Sequence, residues 1–300
     1  MLKIAYDPVF AHPLPEGHRF PMMKYELIPG QLLHEGLITP ANLFIPAEAE
    51  DHVILRAHAA EYWHRLKNLE LTYHEIRRIG FPLSDTLVKR ERMIAQGTVD
   101  CARYALQYGV AMNVAGGTHH AGSNWGEGFC LLNDIAIAAH DLLHEKLAER
   151  ILVVDLDVHQ GNGTAEIFSG HPQVFTFSMH GANNFPYRKE NSYLDLPLAD
   201  HIGDEAYLGM LYETLPALIE KLQPDFIFYL SGVDILETDK LGKLSLSIKG
   251  CKERDRFVLQ SCKDRRIPLA ISMGGGYSAD LRIIVEAHCN TYRLAEHIYF

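Results

Sequence analysis

The chain has 300 residues, 47% of them hydrophobic and 22% charged, with a formal net charge of −10. That length can bury a large core, and the acidic balance excludes a general nucleic-acid binder, which needs a basic footprint. It leaves open a cationic substrate such as a lysine-bearing peptide or a polyamine. The five cysteines form no C-x-x-C pair, which suits a reducing compartment better than a disulfide framework.

The amino terminus, MLKIAYDP, shows no apolar signal core, and no apolar run reaches the length that spans a bilayer. The expected location is the cytoplasm, with the nucleus left open; no basic localisation cluster is present. In chain order, the pattern predicts a strand at 3–6, helices at 24–36 and 83–108, and a strand at 110–114. A helix at 133–148 and strands at 151–155 and 174–178 follow. A helix at 204–222 starts after Gly203 and stops at Gln223-Pro224. The last elements are a strand at 226–230, a helix at 252–265 and a strand at 269–272. Such alternation implies an α/β fold, a parallel sheet with helices on both faces. There is no repeat, low-complexity segment or linker, so one domain over 1–300 is expected.

The ends of these strands carry the polar residues. The strand at 110–114 leads into Gly116-Gly117-Thr118-His119-His120. The run ILVVDLDVHQGNG puts Asp155, Asp157 and His159 at alternate positions. Residues two apart in extended backbone point to one side, so all three are expected to face one spot. Gly161 and Gly163 would then let the chain turn. The other ends lead into Met179-His180, Ser231-Gly232-Val233-Asp234 and Gly274-Gly275-Gly276-Tyr277. Open α/β sheets place ligands along the carboxyl edge, so five polar groups would ring one cleft.

Asp157, His159 and Asp234 offer one imidazole and two carboxylates with room for water, the pattern of a catalytic zinc site. Two carboxylates neutralise the ion and acidify its water less than neutral imidazoles would, so a separate base becomes useful. His119 and His120 are candidates for it. Tyr277 could donate to a developing oxyanion. The glycines form neither G-x-G-x-x-G nor G-x-x-x-x-G-K-[ST].

Taken together, GGTHHAGSNWGEGFCLLND, DLDVHQGNGTAEIF, VFTFSMH, SGVD and MGGGY resemble the zinc-dependent histone deacetylase family of the arginase/deacetylase fold. They stand in the family's order over nearly the whole chain, and they are most similar to the class IV branch and its bacterial relatives. The resemblance implies that Asp157, His159 and Asp234 hold the zinc. It makes His120 the general base and later acid, His119 its dyad partner, and Asp155 the carboxylate that orients His119. Tyr277 would polarise the amide carbonyl, with Asn162 beside His120. Phe129 and Phe185 would wall an acyl-lysine tunnel, with Gly128 and Gly275 also lining the substrate. A structural potassium would take Asp155 and Ser178 side chains and carbonyls of Asp157, His159 and Met179. Zinc and ferrous iron both suit the catalytic donors.

Three departures from the family pattern stand out. Gln160 occupies the place of a second histidine in many members. Asn162 occupies the place of an aspartate, and an amide orients imidazole without adding charge. The segment Gly80-Phe81-Pro82 lacks the rim aspartate that holds substrate backbone in some classes. The expected activity is hydrolysis of an acyl-lysine amide. An alternative is deacetylation of acetylpolyamines or another small amine, which a narrowed, acidic entrance would support. A catalytically silent acyl-group binder is a third reading; it would require a missing metal ligand or tyrosine, and none is missing. No membrane or direct nucleic-acid partner is expected, and nothing in the sequence specifies an oligomeric state.

Overall fold

The computed structural model describes residues 1–300. Its strands are β1 (Lys3–Ala5), β2 (Leu43–Phe44), β3 (Val110–Asn113), β4 (Ile151–Asp155), β5 (Val174–Gly181), β6 (Leu194–Leu198), β7 (Phe226–Leu230) and β8 (Leu269–Ser272). Every pairing is parallel, in the order β2-β1-β3-β8-β7-β4-β5-β6. All residues of β3, β4, β7 and β8 are buried. That explains their continuous apolar runs, because a parallel sheet covered on both faces has no solvent side.

The covering helices are α1 (Lys24–His34), α2 (Asp51–Ile54), α3 (Ala60–Lys67), α4 (Tyr73–Ile79), α5 (Asp85–Tyr108), α6 (Asp134–His144), α7 (Asn162–Ile167), α8 (Asp204–Leu222), α9 (Ile248–Arg265) and α10 (Leu281–Tyr299). Helix α5 packs on α6 and on β1, β3 and β8. Helix α9 packs between α8 and α10, and α10 reaches α1. Ser84 caps α5 and Asn133 caps α6 through side-chain bonds to backbone N–H groups, as short polar residues do at helix starts.

All six predicted strands and all five predicted helices are present; β4, β7, β8 and α8 have the predicted ends, and the others are shifted. Strands β2 and β6 and helices α2, α3, α4, α7 and α10 were not anticipated by periodicity. Strand β6 contains Pro197 and lies at the sheet edge, where a missing N–H is tolerated. The apolar stripe of α10 is interrupted by His288, Asn290 and Thr291, which are nonetheless buried. Thr291 gives its hydroxyl to Asp255 Oδ2 at 2.7 Å, a partner far away in sequence.

Register decides where the chemistry sits. Asn113 pairs with Ser272, Ser272 with Leu230, Leu230 with Asp155, and Asp155 with Ser178. Four adjacent strands, β3, β8, β7 and β4, therefore end level, β5 passes the same level at Ser178, and the loops after the four meet at one edge. Arg254 of α9 ties these ends from below. Wholly buried, it pairs with Asp255 and donates to the carbonyls of Leu156, Ser231 and Gly232. Replacing Arg254 by Met would leave Asp255 unpaired and three carbonyls unsatisfied. A loss of roughly 3–5 kcal/mol is expected for breaking such a pair. Urea denaturation should show a clearly lower midpoint for Arg254→Met, and an unchanged midpoint would contradict this role.

Candidate active site

The turn after β4 is where alternation fails as an explanation. Strand β4 stops at Asp155, and residues 157–159 are bends rather than extended chain. Asp155 does not join Asp157 and His159 at one spot. Its Oδ2 lies 2.7 Å from His119 Nδ1, and its Oδ1 accepts from the Asp157 N–H. The glycines of this turn also differ from expectation. Gly161 precedes α7 with φ −72°, and its role is contact: a Cβ would sit 2.3 Å from Asp155 Oδ2.

Asp157, His159 and Asp234 converge, each offering one ligand atom within 4.8 Å of the others. His159 Nδ1 lies 3.0 Å from Asp157 Oδ1 and 3.1 Å from Asp234 Oδ2. The other carboxylate oxygens are held by backbone: Gly275 N–H donates to Asp157 Oδ2 at 2.8 Å and Val158 N–H to Asp234 Oδ1 at 3.0 Å. Gly275 thus sits against this triad, where a Cβ would fall 2.0 Å from Asp234 Oδ2. Burial and the Asp157 charge push Asp234 up to about 7. Burial works against charge on His159, but hydrogen bonds to Asp157 and Asp234 win and raise it to about 10.

The two adjacent histidines are driven apart in basicity. Burial lowers His119, but Asp155 and Asp157 outweigh it and raise it to about 8. Burial, with His119 and His159 nearby, holds His120 well below the usual histidine range. His120 Nδ1 lies 2.7 Å from Asn162 Oδ1. Asn162 in turn gives its Nδ2 to Glu127 Oε1 at 2.5 Å, and Glu127 Oε2 pairs with Arg78 Nε at 2.6 Å. A carboxylate only accepts, so Glu127 fixes the amide with its oxygen toward His120. The His120 proton is then on Nδ1, leaving Nε2 free. Glu127 was not found by sequence reasoning, although it lies within GEGFCLLND; no local pattern links it to Asn162. Gln160 turns away and bonds Asp195 Oδ1 and the Glu190 carbonyl.

Tyr277 lines both an inner pocket, with His119, His120, Asp157 and Gly275, and an outer cavity of about 350 Å³. Burial, then Asp234 and Asp157, raise its phenol well above the ordinary value, so it stays protonated. His120, Gly128, Phe129, His159 and Phe185 also line the outer cavity. Phe129 packs against Phe20 and Phe81, and Phe185 packs edge-on to His120 with centroids 5.0 Å apart. Gly128 lets the chain pass His120, since a Cβ there would meet its ring at 2.7 Å.

Residues 18–292 match the family model for the histone deacetylase domain. The chain belongs to that family. An uncharacterized protein of Picosynechococcus sp. is 43% identical, over 99% of both chains. Histone deacetylase 19 of Arabidopsis thaliana is 32% identical over 95% of this chain and 60% of its own length. Histone deacetylase 2 of the same plant is 28% identical over 92% and 74%. A crystal structure of an HDAC homologue complexed with SAHA superposes with a TM-score of 0.85 at 23% identity, covering 99% of this chain and 84% of that one. That likeness concerns the fold, and it matches the α/β expectation.

The donor set of this histone deacetylase domain fits a divalent cation. Two buried carboxylates crowd one imidazole so closely that one of them resists ionisation without a positive partner. Three of the residues expected to hold potassium lie close in the sheet. Asp155 and Ser178 are neighbours by register, and Met179 follows in β5. The buried carbonyls of Asp157 and His159 accept no backbone hydrogen bond, which suits an ion with oxygen ligands. Ser178 Oγ also contacts His180 Nδ1 at 3.0 Å, a partner absent from the sequence reading. Lys24 is a further buried group that sequence reasoning missed. It is wholly buried, donates to the Gly274 carbonyl at 3.0 Å and is lowered to about 8 by burial.

A site of this kind should hold about one divalent ion per chain. Elemental analysis of gently purified protein should find it, and Asp234→Ala should lose most of it. Metal retained at full occupancy in Asp234→Ala would remove Asp234 from the ligand set.

Proposed function

We propose that this protein is a metal-dependent amidohydrolase that removes an acyl group from the amine of an acyl-lysine. The observation that carries the reading is the meeting of three features at two adjoining pockets. Asp157 and His159 of the buried Asp–His–Asp triad, two histidines of unlike basicity and a protonated tyrosine line an inner pocket that Phe129 shares. His120, His159 and Tyr277 also line the outer cavity walled by Phe129 and Phe185. Zinc or ferrous iron held by Asp157, His159 and Asp234 would polarise the amide carbonyl and acidify water. The potassium would be structural, on Asp155, Ser178 and the carbonyls of Asp157, His159 and Met179.

The chain's own groups have separable tasks. His120, neutral with Nε2 free, accepts the proton of the attacking water and later returns it to the leaving amine. His119, kept protonated by Asp155, supplies positive charge beside it. Tyr277 donates its hydroxyl to the oxygen that gains charge as the carbonyl is attacked. Phe129, Phe185, Gly128 and Gly275 form walls that hold an extended acyl chain and exclude bulk water. The domain spans residues 1–300 as one unit on this reading, and a cytoplasmic location is part of the same proposal, to which the five free cysteines lend support. No helix is long and apolar enough to cross a membrane. Acetylpolyamines remain the second substrate class, and a hydrolysis screen of acetyl- and longer acyl-lysine peptides against acetylpolyamines distinguishes the two. Absence of amide hydrolysis by protein with its metal content verified would overturn the proposal.

Two variants test the roles. Tyr277→Phe should keep fold and metal while kcat drops about a hundredfold or more, the usual effect of losing one oxyanion donor. Near-normal turnover would exclude the role. The second concerns pH. An aspartate at 162 would favour the protonated form of His120 and raise its pKa. Alone it would face Glu127, so the two carboxylates would compete for a proton. Pairing Asn162→Asp with Glu127→Gln restores a donor to the new carboxylate and places the charge next to the ring. A base must be neutral to act, so the acidic limb of kcat/KM should move to higher pH in the double variant. A limb that stays or moves down, with metal content unchanged, would count against His120 as the base.

A further inference from the structure

The mouth of the outer cavity has a charge opposite to that of the protein. The chain has 38 acidic and 28 basic side chains. Yet the charged residues lining this cavity, apart from the two histidines, are Arg19, Arg78 and Lys243, with no carboxylate among them. Arg19 and Lys243 are exposed and form no ion pair. Arg19 is held against the tunnel wall, its guanidinium 5.0 Å from the centre of the Phe129 ring. That contact orients the charge without neutralising it. Lys243 sits on an anchored backbone: its N–H donates to Asn184 Oδ1, and its carbonyl accepts from His201. Arg78 gives Nε to Glu127, which is only 8% exposed, and keeps a 44% exposed side chain at the rim. Asp239, on the adjoining loop, accepts from the amides of Leu241, Gly242 and Tyr277.

We infer that the acyl amine taken by this site carries a carboxylate beyond the amide, which the Arg19–Arg78–Lys243 mouth receives. The inference rests on the amidohydrolase reading and narrows its substrate class. Two sources share this chemistry: the free α-carboxylate of an Nε-acylated lysine, and acidic residues flanking an acyl-lysine in a peptide. An acetylpolyamine brings ammonium groups instead, which the same mouth repels. A unit charge about 6 Å away in water-like surroundings changes affinity roughly threefold, so two unpaired cations give about tenfold. Salt shrinks that effect because the charges are exposed.

The test compares kcat/KM on metal-verified protein for five substrates. They are Nα-blocked Nε-acetyl-lysine as free acid, the same compound as its methylamide, acetyl-lysine peptides flanked by Asp or by Lys, and N-acetylputrescine. The expected order is anionic above neutral above cationic, with about tenfold between free acid and methylamide at low salt. The gap should narrow at high salt. In Arg19→Gln/Lys243→Gln the ratio should fall towards one, and in Arg19→Lys/Lys243→Arg it should persist. A preference for the free acid over the Asp-flanked peptide assigns a small amino acid as the source; the reverse assigns an acidic peptide. Equal rates for acid and methylamide, or the best rate with acetylputrescine or the Lys-flanked peptide, overturn the inference and leave the amidohydrolase reading standing. Hydrolysis of none of the five, and of none of their counterparts with longer acyl groups, removes both. If the double variant fails to fold, the salt dependence of the unsubstituted protein decides between a charged mouth and a neutral one.

Discussion

Two carboxylates, Asp157 and Asp234, are buried side by side, and the surrounding architecture offsets the electrostatic penalty of keeping them there. Each keeps one oxygen toward His159 and the other on a backbone N–H. Lys24, buried and lowered to about 8, feels both charges from the next layer. A cation between the carboxylates would complete the compensation, since opposite charge favours the ionised form. The level strand ends and the absent side chain at Gly275 are what allow the two acids to approach one another.

That crowding propagates into the histidine pair. His119 lies between Asp155 and Asp157 and becomes more basic, while burial and the neighbouring His119 and His159 make His120 less so, with only an uncharged amide at its Nδ1. Two adjacent, equally buried residues of one type thereby acquire different proton affinities, because carboxylates offset burial at one and imidazoles add to it at the other. The charge missing at Asn162 is not absent from the structure. It lies one hydrogen bond further out, on Glu127, and is partly balanced by Arg78 at the rim. His120 and the cavity mouth are thus linked by a single chain of polar contacts.

The fold explains why such a site can be precise without being rigidly local. Asp157, His159 and Asp234 come from the loops after β4 and β7, His119 and His120 from the loop after β3, and Tyr277 from the loop after β8. Parallel register sets these four loops at the same height. Arg254 fastens three of their carbonyls from beneath. A shift of any one strand by a residue would separate groups that now lie about 3 Å apart.

Much of this was determined by the sequence alone. The strands are short continuous apolar runs, and each is followed directly by the residues that meet at the site, so local pattern and strand-end chemistry identify the sheet and its active edge. Asp157, His159, Asp234, His119, His120 and Tyr277 were legible because they stand within a few residues of a strand end. What tertiary structure decided is everything that depends on a partner distant in the chain. Asp155 turns to His119, as the family resemblance implied and alternation did not, because the strand ends before the alternation can act. Glu127 reaches Asn162, Lys24 reaches Gly274 and Thr291 reaches Asp255 across separations that no periodicity encodes. The basic mouth is likewise invisible in a chain of net charge −10, because total charge carries no information about which side chains the fold brings to one opening.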